Sequence, residues 1–155
     1  MAATTVKSYD AGRLHVATGE ADIDVSAATY TAFQALLTVT PASGHALTDV
    51  RVCFDLSKAT TGFKAGYTTE TIQFVVARKI DGTNWRSAKN TEIPSTALAG
   101  DDSNLRSVDI LVGDVGPTEA FRIEVKLSAE QGDVELPYVL TYKSGAPATI
   151  TAVAA

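Results

Sequence analysis

The chain has 155 residues, 45% hydrophobic and 20% charged, with 13 Lys and Arg against 18 Asp and Glu. That is one domain's length, with the composition of a globular rather than a disordered protein. At a net charge of −5, with its basic residues scattered, the chain lacks the clustered Lys and Arg that binding to DNA, RNA or an anionic membrane requires.

Residues 1–12 are mostly small and polar and read as an extended N-terminal arm, followed by a single domain over 13–155. RLHVAT places Leu14 and Val16 on one strand face and His15 on the other. EADIDV alternates again, with Ile23 and Val25 inward. SAATYTAF is open: Ser26 caps a short helix presenting Tyr30, Phe33 and Leu37, or the Thr content gives loop or strand. QALLTVT is a strand ending at Pro41. LTDVRVCFDL alternates Val50, Val52, Phe54 and Leu56 with Asp49, Arg51, Cys53 and Asp55.

Residues 57–70 are a long Gly/Thr-rich loop carrying Phe63 and Tyr67. TIQFVVARKI turns Ile72, Phe74 and Val76 inward, Asp81-Gly82-Thr83-Asn84 is a turn, and Trp85 begins the return strand. Residues 87–105 read as a second long connection with a short strand near Ile93. SVDILVG, FRIEVKLS and VELPYVLTYK then form a meander, and ATITAV adds a last short strand. Pro137 has no N–H for a ladder, so its strand is expected to be an edge or bulged there. Eight to ten strands with little or no helix predict an all-β antiparallel β-sandwich, jelly-roll-like. The single cysteine excludes an internal disulfide and favours folding in a reducing cytosol. MAATTVKSYD lacks the pattern of a signal peptide, and no apolar run is long enough to cross a bilayer as a helix.

Glu20, Asp22 and Asp24 put three carboxylates on one strand face, about 6–7 Å apart from the rise per residue. The row is similar to the E-x-D-x-E strand of jelly-roll glucanases, with Asp24 in place of their third Glu; its plainer readings are a solvated face that blunts an edge strand, or a weak Ca²⁺ site. Gly100-Asp101-Asp102-Ser103-Asn104 reads as a turn. His15, His45 and Cys53 lack zinc spacing, and no nucleophile elbow or phosphate loop is present. Trp85 and Tyr67, with nearby Asn and Asp, could stack on a sugar, anchor a protein interface or cap the sandwich. No residue is assigned a catalytic, cofactor-binding or metal-binding role, and no cofactor is expected.

The hairpin VVARKIDGTNWR and the meander VDILVGDVGPTEAFRIEVKLSAEQGDVELPYVLTYK, with the polar arm and the Ala/Thr-rich strands, resemble the small β-sandwich proteins that decorate or cement phage and virus capsids. The resemblance implies a non-enzymatic virion protein, made in the host cytoplasm and located on the capsid surface. It implies a homo-oligomer, with a trimer favoured, binding the major capsid protein; residues 2–12 and the loops 57–70 and 87–105 are the segments expected to make those contacts. The alternative is a carbohydrate- or receptor-binding β-sandwich module, as in a phage fibre or lectin.

Overall fold

The computed structural model describes residues 4–25, 33–56, 71–94, 107–127 and 132–153. Among them are ten strands and no helix: β1 (Thr5–Tyr9), β2 (Leu14–Val25), β3 (Gln34–Thr40), β4 (Leu47–Asp55), β5 (Thr71–Arg78), β6 (Arg86–Pro94), β7 (Ser107–Val115), β8 (Phe121–Leu127), β9 (Gly132–Lys143) and β10 (Thr149–Ala152). They form two five-stranded antiparallel sheets, ordered β1-β2-β9-β4-β7 and β10-β3-β8-β5-β6. Strands pair in a nested series, β2 with β9, β3 with β8, β4 with β7 and β5 with β6. The protein is therefore an all-β antiparallel sandwich.

The core is the two inner faces. Val50, Val52, Phe54 and Leu56 are buried on β4 and the segment after it, while Asp49, Arg51 and Asp55 face water. Phe54 stacks on Phe74 of the opposite sheet at 5.3 Å between ring centroids, stitching the sheets at mid-core. Leu47 and Val50 are both buried although three residues apart. A bulge at Thr48-Asp49, with Asp49 at φ 52°, resets the alternation there.

On β2 the buried face is the one carrying His15, Ala17, Gly19 and Ala21, and Leu14 and Val16 lie on the outer face. The register supplies the reason. Directly opposite on β9 stand Tyr142, Leu140, Tyr138 and Leu136, whose bulk fills the space above the small residues. A Cβ on Gly19 would lie 2.7 Å from the Tyr138 hydroxyl.

Residues 5–9, read as part of an arm, are extended and paired along β2. RLHVAT and EADIDV are one continuous strand, and residues 87–94 continue β6 where a loop with a separate strand was expected. Trp85 precedes that strand by one residue. Pro137 lies in a strand flanked by β2 and β4, but the β4 ladder ends at Tyr138. From Gly132 to Pro137 β9 therefore pairs with β2 alone, and the proline falls in that half, as a local edge would have it. The Asp81–Asn84 turn forms as its residues dictate: Asp81 accepts from the backbone N–H groups of Thr83 and Asn84, and Gly82 takes φ 76°. Ser26 and Tyr30, the loop 57–70 with Phe63 and Tyr67, and Gly100–Asn104 lie outside the described residues.

Candidate functional site

The outer face of the first sheet is the surface on which the most distinctive side chains meet. Pairing brings Val16 of β2, Thr141 of β9, Arg51 of β4 and Leu111 of β7 into one row across the strands. The next row holds Thr18, Val139, Cys53 and Asp109. Leu111 is 61% exposed and Val139 41%. A shallow depression of about 340 Å³ is lined by Arg51, Cys53, Asp109, Val139 and Thr141. A second of about 240 Å³ opens beside it, between Cys53, Asp55, Ser107, Pro137, Tyr138 and Val139, where the β4 and β9 ladder stops. The middle of this face is thus mixed, with β-branched Val139 and Thr141 on β9 beside the Arg51 guanidinium and the Cys53 thiol on β4.

Arg51 frames the depression through a two-point contact with Asp109: Nε donates to Oδ1 at 3.2 Å and Nη2 to Oδ2. That contact holds the Asp109 carboxyl below its ordinary range. It also commits the guanidinium that neighbours Cys53 on this face. The thiol is pushed up instead, by burial first and by Asp109 second, which disfavours the reactive thiolate.

At the far end of the same face lie Glu20 and Asp22, and the register sets Glu135 directly opposite Asp22. Asp24 pairs in register with Asp133. The sequence shows the β2 row but not Glu135, because no local signal says that β9 lies beside β2. Burial pushes the Asp22 carboxyl up, and the negative charges of Glu20 and Glu135 push it further. Among the described residues, no group of three His, Cys, Asp or Glu side chains is arranged to hold a metal ion.

The two histidines are not brought together with Cys53. His15 is 1% exposed and stacks on Tyr142 at 5.0 Å. Its Nε2 lies 3.1 Å from the Ser144 carbonyl, which can only accept, so Nε2 carries the proton and Nδ1 takes a hydrogen bond from the Ser8 hydroxyl at 2.8 Å. A hydroxyl and an imidazole in contact resemble a nucleophile and its base. Here both ring nitrogens are occupied and the ring is sealed in the core, so the pair works as a strut between β1, β2 and the segment after β9. Trp85 is half-buried, with the Arg122 guanidinium 4.4 Å and the Lys79 ammonium 5.0 Å from its ring centroid. Arg122 is in turn paired with Glu124 at 2.7 Å. The ring surface a sugar would stack on already carries cations held in place by the second sheet.

Comparison with protein-family models and with curated proteins returns no match for this chain.

Proposed function

We propose that the protein is a structural, non-enzymatic component of a virion: a decoration protein that binds the assembled capsid through its major capsid protein and stabilises it. The nested strand pairing is read here as the winding of a jelly roll, an architecture that capsid and lectin domains use. The observation that carries the proposal is the outer face of the first sheet. Val139, exposed, with half-buried Cys53 and Thr141, makes a small weakly polar patch, and the exposed Arg51–Asp109 pair stands between it and exposed Leu111 on β7. Solvated sheet faces are ordinarily polar, and exposed apolar side chains interleaved with a paired arginine favour a protein-binding surface. Docking by this face stabilises a shell by linkage, because the protein binds the assembled lattice better than the separate subunits. Oligomerisation, with a trimer as the expected form, multiplies one modest contact by avidity.

Co-sedimentation with purified shells tests the reading. The protein is expected to travel with assembled capsids and not with free capsid subunits. The double variant Leu111→Lys, Val139→Lys is expected to lower that binding about tenfold or more, with an unchanged circular dichroism melt. A wild-type protein that stays in the supernatant, or a variant that binds equally well, overturns the assignment.

A further inference from the structure

We infer that β1 is an exchangeable strand, which pairs with β2 of a second copy of this chain and so holds an oligomer together.

Three observations point there. First, β1 pairs with β2 only, and all five of its residues are exposed, with Val6 at 39% and Tyr9 at 50%. The strand buries little, so lifting it from its own β2 uncovers little core. Second, the link from β1 to β2 is strained. Asp10, Ala11 and Gly12 sit in succession at φ 53°, 56° and 80°, and the Gly12 and Arg13 N–H groups both point to the Tyr9 carbonyl at 3.1 Å. Three consecutive left-handed residues, two of them not glycine, form a turn that L-residues resist. Third, the seat for β1 is a built one. Thr4 Oγ1 meets the Tyr138 hydroxyl at 2.6 Å in the gap left by Gly19, and Ser8 donates to His15.

If the chain runs straight past Tyr9 instead of turning back, β1 reaches a neighbour. It can there remake the same register, Thr5 opposite Thr18 through Tyr9 opposite Leu14, and the same two side-chain bonds. Only the turn's own hydrogen bonds, from the Gly12 and Arg13 N–H groups, are lost, and the strained turn relaxes, which is the condition under which short hinge loops favour swapping. The loss of translational freedom opposes it, so the balance depends on concentration. The exchange needs only two copies of this chain and is independent of any shell.

A mixing experiment in a Cys53→Ser background tests it. One chain carries Thr5→Cys and the other Thr18→Cys. Direct antiparallel partners have Cα atoms about 4.5–5.5 Å apart, within reach of a disulfide. On oxidation, a disulfide between the two chains forms only if β1 of one lies on β2 of the other, and that product is expected on a non-reducing gel. Ala11→Pro, which fixes φ near −65° and forbids the closed turn, is expected to convert the protein wholly to oligomer by light scattering. Ala11→Gly, which accepts the left-handed turn, is expected to shift the equilibrium about tenfold toward monomer. The inference is overturned if the mixed chains give no intermolecular disulfide while a chain with both cysteines closes on itself, or if Ala11→Pro remains a monomer.

Discussion

Gly19 has no side chain because the Tyr138 hydroxyl occupies the place one would need, and that hydroxyl is itself tied to Thr4. A methyl group there would push a buried phenol off its partner and loosen the seat of β1 together with the inner face of β2. Gly19→Ala is therefore expected to destabilise the fold by about 1–3 kcal/mol, the usual cost of overpacking. Amide exchange should show the loss reaching β1. A variant melting at the wild-type temperature with β1 equally protected would mean that Tyr138 has room to move. Tyr142 is held by the same logic from the other direction: the Ala148 N–H donates to its hydroxyl at 2.8 Å, so the large aromatic residues of β9 keep their polar tips satisfied inside the core.

At the scale of strands, two devices deal with the edges and registers. Arg78 leaves the end of β5, crosses to the other sheet and donates to the carbonyls of Asp114, at 2.7 Å, and Val112 on the edge strand β7. Glu119 stands 3.8 Å from the same guanidinium. The planar fork occupies acceptors that another strand could otherwise pair with. Arg78→Ala is expected to cost about 1–3 kcal/mol in urea unfolding, from carbonyls left without donors. It should also increase self-association of the folded protein in sedimentation, and Arg78→Lys should restore little of either. The second case is the opposition of Asp22 and Glu135. A carboxyl whose folded pKa lies above its unfolded value binds protons more readily when folded, so its stability penalty is present at neutral pH and disappears as pH falls through the folded pKa. Glu135→Gln removes one of the facing charges. It is expected to add about 0.2–1 kcal/mol at pH 7, and the gain is expected to disappear in acid, as Asp22 takes up its proton. Denaturation curves at neutral and acid pH decide it.

The strands themselves were legible in the sequence, because alternation survives wherever one face is dry: LTDVRVCFDL and FRIEVKL become β4 and β8 almost residue for residue. The buried face of β2 was hidden for a physical reason. Its inward residues are small because β9 supplies the volume, and a pattern of size shared between two strands 120 residues apart leaves no local trace. Glu135 was missed for the same reason, whereas Pro137 signalled its local edge through the N–H it lacks. Trp85 was placed correctly beside its turn. Its cation partners come from β8 and from the end of β5, and only the pairing of those strands brings them over the ring.

For the molecule as a whole, the decisive property is that its pairs are nested. The innermost, β5 with β6, closes through a short turn, whereas Leu14 at the start of β2 pairs with Lys143 at the end of β9. Loop-closure entropy makes such distant pairings slow to form. During synthesis the ribosome must deliver residues 132–143 before β2 gains its long neighbour. Until then most of a sheet edge stays open beside a growing hydrophobic surface. Nascent chains stalled short of β9 are consequently the form of this protein most in need of a chaperone, whereas release of the finished strand lets both sheets close.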